Sequence, residues 1–321
     1  MKKRNRIRIF TSVLILVGTI VSTLLNLYHS TKVSSACSIG GCAGCNGCSA
    51  SAKPSITANN NYYIDKEKKL MNDLSDKIKV FQPVLKTYQT EEEIDKVIEE
   101  TTSEFKNIIP QIPYIGGDAN SLTEDLEQAA MVLAFFRVES RHGMTVDDVG
   151  TIVNIAIENE LKKYPKWLLR ATSAKYFTKK YINELKNAAI ASQKRTYDGG
   201  WVFTFIAGDG KTFDYGYNYT ECGIANFLYV QGASDLTPYL CNLDNLYSKY
   251  MDEGLTRTTT LGEGGSYCDF RFKRVRNVRL DIMIYGGIFI VGISFISLIA
   301  VILRFLYKRI WNNTHFLAKN N

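Results

Sequence analysis

Residues 199–227 read GGWVFTFIAGDGKTFDYGYNYTECGIANF, and the character of the chain changes across this stretch. Trp201 to Ala207 (WVFTFIA) is rich in aromatic and β-branched residues, Gly208-Asp209-Gly210 is a turn signal, and Thr212 to Thr220 (TFDYGYNYT) resumes the same composition. Two such runs around a Gly-Asp-Gly turn predict an antiparallel hairpin.

Everything ordered before the hairpin reads as helix. Met71, Leu74, Ile78, Phe81 and Leu85 recur at spacings of three and four, which lines one helical face, with Pro83 expected to end or kink it. A second helix starts near Thr90, with Glu91, Glu92 and Glu93 in its first turn and Ile94, Val97, Ile98 and Phe105 turned inward. After the break IIPQIPYIGG at 108–117, Ser121 with Glu124 gives a capping box for a helix to about Arg141, closed by Gly143. Thr145 with Asp148 caps a helix to about Lys163, and another spans roughly Ser173 to Lys194. After the hairpin come helical pieces around Ile224 to Val230 and Leu236 to Met251. A second strand pair follows, Leu255 to Leu261 with Cys268 to Lys273, around the turn GEGG. The predicted class is α+β: a helical N-terminal part, then a small antiparallel sheet with packed helices.

The ends carry a different signal. Ile9 to Leu27 is 19 residues without a charge and Ile282 to Leu303 is 22, each long enough at ~1.5 Å per residue for a hydrocarbon core of ~30 Å. Five basic residues precede the first run and four follow the second, so the +7 net charge sits at the ends and residues 29–280 hold 30 basic against 31 acidic residues. A near-neutral middle with no basic stripe excludes a nucleic-acid module. The charge bias predicts two flanking transmembrane helices in a cell-membrane protein that contacts the bilayer twice, with an extracytoplasmic middle. The resulting order is a basic tail with the first membrane helix (1–28), a flexible Cys/Gly/Ser-rich linker (29–61), an ordered α+β domain (62–275), the second membrane helix (281–306) and a basic tail (307–321).

In that linker, Cys37, Cys42, Cys45 and Cys48 have a C-x4-C-x2-C-x2-C spacing that completes neither common iron–sulfur run, and local disulfides are their expected fate. Cys222, Cys241 and Cys268 are more function-like, since each lies beside a carboxylate: Glu221, Asp244 and Asp269 respectively. A thiolate is a nucleophile and metal ligand, and a neighbouring carboxylate can move a proton. Three cysteines on apolar elements fit buried core or a disulfide equally well. Separations of 19 and 27 positions give no metal-ligand spacing, so a divalent metal on the three thiols would depend on the fold. His142 is the one histidine outside the terminal regions, at a helix end that explains it by capping. The amides around Gly264 and Gly265 and the guanidinium of Arg257 could hold a substrate carboxylate.

The ordered motifs DYGYNYTECGIANF, PYLCNLD and GLTRTTTLGEGGSYCDFRF, together with IPYIGGDAN upstream, closely resemble the L-2-amino-thiazoline-4-carboxylic acid hydrolase family over roughly residues 65–273. The resemblance implies hydrolytic opening of a cyclic amidine ring to N-carbamoyl-L-cysteine, at a C–N bond, on a small-molecule substrate. It singles out Tyr219, Glu221, Cys222, Cys241, Asp244, Thr258, Gly264, Gly265, Cys268 and Asp269. On that basis Cys222, Glu221, Cys268 and Asp269 are the candidate catalytic residues. Tyr219, Thr258, Arg257, Gly264 and Gly265 are candidates for substrate binding, and Asp244 supports them. The alternatives are a non-catalytic membrane-bound module that binds or senses a small molecule, to which a fainter similarity to 4-vinyl reductase-like domains speaks, and a partner of a transport or peptide-maturation system.

Overall fold

The computed structural model describes residues 61–275, 293–294 and 297–304, in two units that divide between Arg274 and Val275. The first unit holds helices α1 (Asn61–Asp65), α2 (Glu67–Leu85), α3 (Glu91–Ile108), α4 (Thr123–Arg141), α5 (Val146–Lys162), α6 (Lys166–Ser173) and α7 (Lys179–Ser192). Strands β1 (Val202–Ala207) and β2 (Tyr215–Glu221), helices α8 (Gly223–Val230) and α9 (Thr237–Met251), and strands β3 (Leu255–Thr256) and β4 (Cys268–Phe272) complete it. The α+β reading of this unit therefore stands.

Helix α4 is the axis of the helical part. Its Leu, Ala, Met, Val and Phe side chains are buried nearly all round, which fits a helix enclosed by neighbours rather than lying on a surface. It packs against α3, α5 and α8. The capping boxes at Thr90/Glu93 and Thr145/Asp148 form in full at the starts of α3 and α5. The box expected from Ser121 and Glu124 does not: Asn120 Oδ1 accepts from Leu122 N (3.0 Å) and Thr123 Oγ1 donates to the Gly117 carbonyl (2.8 Å), so the turn itself ties down the start of α4. Pro83 is tolerated inside α2 because it lies in the last turn, just before the helix stops at Leu85. The helix expected over 173–194 is split, since Thr178 takes an extended conformation and caps a fresh helix, accepting from Tyr181 N (3.3 Å).

The sheet is antiparallel in the order β1-β2-β4-β3, and β2 pairs with β4 as Tyr215↔Phe272, Tyr217↔Phe270 and Tyr219↔Cys268. Alternation puts these six residues on the buried face, where Tyr217 stacks on Phe270 (4.9 Å between ring centres) and Tyr215 on Phe272 (5.1 Å). The strand expected over 255–261 shrinks to two residues. Asp269, on the other face of β4, accepts from Thr258 N and Thr259 N (2.8 Å each) and from Thr258 Oγ1 (2.7 Å), which turns the chain off the ladder.

Among the described residues no helix is long and apolar enough to cross a membrane. The finding overturns the two flanking transmembrane helices and, with them, the two-pass cell-membrane placement. The first apolar run and the cysteine-rich linker lie outside the described residues, as does most of the second run.

Just after α9, Asp252 adopts a left-handed backbone (φ 57°), pairs with the buried guanidinium of Arg170 (3.0 Å), and leads into Glu253. Glu253 is only 2% exposed, and burial pushes its carboxyl pKa up to about 7 against the weaker pull of Lys175. A raised folded-state pKa means that the folded protein holds the proton more tightly. The stabilising effect is complete below the ordinary value of 4.5 and is lost as pH climbs towards 7. Denaturant unfolding at a series of pH values should show Glu253 accounting for a loss of about 3 kcal/mol across that window, and Glu253→Gln should flatten that part of the profile.

Candidate active site

The third residue of α4 is Asp125. An acid in a first turn normally faces solvent and the positive helix end. Here the turn through Gly117 and Asn120 sets the helix so that Asp125 faces the core, at 3% exposure, and neither carboxyl oxygen has a hydrogen-bond partner. Burial drives its pKa well above the usual carboxylate range, and the carboxyl of Asp244, that of Glu124 and the thiol of Cys222 add to the rise. Burial without a hydrogen-bond partner therefore favours the protonated form of Asp125.

Asp125 and Asp244 line a cavity of about 40 Å³ whose walls are mainly apolar, with Phe81, Val132, Ile224 and Leu243 among them. That volume holds a few waters or the polar edge of a small ring. All of the lining residues are buried except Lys77 and Gln128, which are half-buried and mark the mouth.

Asp244 reaches the cavity from α9. Its Oδ2 accepts from Arg257 Nη1 at 2.9 Å, with both side chains about 5–6% exposed. Arg257 also donates to the Cys241 carbonyl (3.0 Å) and lies over the Phe270 ring (4.9 Å), which locks α9 onto the strand face. Burial raises the Asp244 pKa and the guanidinium opposes the rise.

The three cysteines converge beneath this pair. Cys222 ends β2 and occupies the N-cap of α8, Cys241 sits one turn before Asp244 on α9, and Cys268 opens β4 opposite Tyr219. All three are buried free thiols, and no disulfide joins them. Burial pushes the Cys268 pKa up, with the charges of Cys222 and Cys241 adding to it and the Leu261 N–H (3.2 Å) opposing, so Cys268 stays a thiol at neutral pH. Among the described residues no group of three or more His, Cys, Asp or Glu side chains is disposed to hold a metal ion, so the divalent-metal option has no ligand set there.

The remaining candidates fall elsewhere. Glu221 lies past the register shift in the β1–β2 pairing, which breaks the alternation after Tyr219, and it pairs with Arg195 at the surface. Asp269 and Thr258 hold the loop described above. Gly264 has a left-handed backbone (φ 88°) in the turn, and Gly265 packs so tightly against Thr259 and Thr260 that no side chain fits. Tyr219 is fully buried in the aromatic layer. His142 pairs with Glu100 (3.1 Å), away from the cavity lining. Asp125 and Lys77 are the site residues that sequence reasoning missed. Asp125 stands between Glu124 and Glu127 in SLTEDLEQAAMVLAFF, so nothing in the local sequence sets it apart.

A family model described as L-2-amino-thiazoline-4-carboxylic acid hydrolase matches residues 125–272. The resemblance drawn from the motifs is borne out over that segment, which begins at Asp125 and includes Cys222, Asp244, Arg257 and Cys268. It is narrower than the 65–273 span of the sequence resemblance. No significant match to a curated protein or to a solved structure was found.

The buried pair gives a stability test. Arg257→Met leaves the Asp244 charge unpaired in the core and should cost about 3–5 kcal/mol in guanidinium unfolding, whereas Asp244→Leu/Arg257→Met should cost clearly less.

Proposed function

We propose that the chain hydrolyses a small cyclic amidine of the 2-amino-thiazoline-4-carboxylate type, with the reaction centre at the Asp125–Asp244 end of the cavity. The single observation that carries this reading is the buried, unpartnered carboxyl of Asp125 on the cavity wall. A neutral cyclic amidine presents an N–H donor and a ring-nitrogen acceptor on one edge, and a protonated carboxyl offers the matching carbonyl acceptor and O–H donor side by side. The family match over the same residues supports this substrate class.

Atom balance defines the chemistry. The product, an N-carbamoyl cysteine, keeps both nitrogens on the carbonyl carbon, so the ring bond that breaks is C–S rather than the C–N bond that the resemblance implies. Water oxygen bonds to the amidine carbon while the ring nitrogen takes a proton. Collapse then forms the carbonyl, breaks C–S, and leaves the remaining proton on sulfur. In this scheme Asp244, paired with Arg257, accepts the proton of the attacking water and passes it to the ring nitrogen, while Asp125 donates its own proton to the departing sulfur and is reprotonated by the hydroxyl proton released as the carbonyl forms. The apolar walls strengthen both interactions by excluding bulk water.

A second version draws on Cys222, a buried free thiol at the N-cap of α8, the helix whose Ile224 lines the cavity. There the Cys222 sulfur attacks the amidine carbon, the ring sulfur leaves as a thiol, and water then hydrolyses the enzyme-bound isothiourea, returning the Cys222 thiol.

In a ring-opening assay on the full chain, Asp125→Asn should lower kcat by about 10²- to 10⁴-fold while the fold, followed by circular dichroism, is kept. Unchanged kcat would refute the assignment. Cys222→Ser separates the versions: near-normal turnover fits attack by water, and loss of turnover with a burst-free baseline fits attack by the thiol. Saturable binding without turnover in the unmodified chain would point instead to the non-catalytic binding module.

A further inference from the structure

The matched segment supplies the acid end of the cavity but not its mouth. There the wall includes Lys77 and Phe81, one turn apart on α2 and outside residues 125–272. Lys77 is the one cation among the lining residues, and its Nζ donates to Gln128 Oε1 at 3.0 Å, which steers the ammonium to the cavity's rim. The buried end of the lining holds the Asp125 carboxyl and Asp244, which is paired with Arg257, and the half-buried end carries the Lys77 ammonium. An anionic substituent meets an ammonium at the mouth, whereas the guanidinium at the deep end is already engaged by Asp244.

We infer that Lys77 is the specificity-determining residue of this site, holding the carboxylate of a substrate whose amidine enters towards Asp125 and Asp244. The inference rests on the hydrolase reading above. It makes the N-terminal helices a working part of the site: α2 selects substrates that carry an anion, and α4 and α9 carry the reacting end.

The test compares 2-amino-thiazoline-4-carboxylate with 2-amino-thiazoline, which lacks the carboxylate, on the full chain and on Lys77→Met and Lys77→Arg. A hydrogen bond to a charged group is worth about 10- to 100-fold in affinity, so Lys77→Met should lower kcat/KM for the carboxylated compound by about that factor, through KM. It should leave the uncarboxylated compound unchanged, and Lys77→Arg should restore most of the preference. An equal fall for both compounds, or no fall for either, overturns the assignment. If the unmodified chain opens neither compound, the hydrolase reading fails and calorimetric binding decides Lys77. An affinity that depends on the carboxylate and is lost in Lys77→Met upholds its role, while equal affinities or no binding of either compound overturns it.

Discussion

Asp244 and Arg257 form a charge pair sealed between a helix and an aromatic sheet face, and the second half of the molecule is organised around the need to keep that pair intact. Neither charge tolerates burial alone, so α9 and the segment between β3 and β4 must stay in one register. The Arg257 bond to the Cys241 carbonyl and its position over Phe270 add shape to that requirement. With α9 fixed, Asp244 faces the cavity that Asp125 also lines, and its carboxyl contributes to the rise that keeps Asp125 protonated.

The sheet was legible because its signals are local. Alternating aromatics at Tyr215, Tyr217 and Tyr219 and again at Phe270 and Phe272 state which face is buried before any pairing is known. The run LTRTTTL looks equally strand-like, yet most of it leaves the ladder because a side chain eight or more residues downstream, Asp269, captures its amides. Nothing within the run announces that. The terminal apolar runs show the converse: hydropathy alone suggested membrane helices that the described residues do not provide.

The candidate site was half legible. Cysteines beside carboxylates drew attention to Cys222, Asp244 and Cys268, which the fold does bring together. The neighbours that looked like partners diverge: Glu221 pairs with Arg195 past the register shift in the β1–β2 pairing, and alternation along β4 sends Asp269 to the face opposite Cys268. Asp125 was hidden by its position in a helix first turn, where an acid has an ordinary explanation. The turn through Gly117 and Asn120 and the packing of α4 among α3, α5 and α8 turn that acid inward, and the cavity gives its carboxyl a use.

The account turns on Asp125 being a protonated acid that meets the substrate. Infrared difference spectroscopy of the full chain at neutral pH, with Asp125→Asn as the reference, reads this directly. The predicted result is a carboxylic acid C=O band assignable to Asp125 that shifts when 2-amino-thiazoline-4-carboxylate is added. A spectrum in which Asp125 contributes only ionised carboxylate bands, or a C=O band indifferent to the compound, would contradict it.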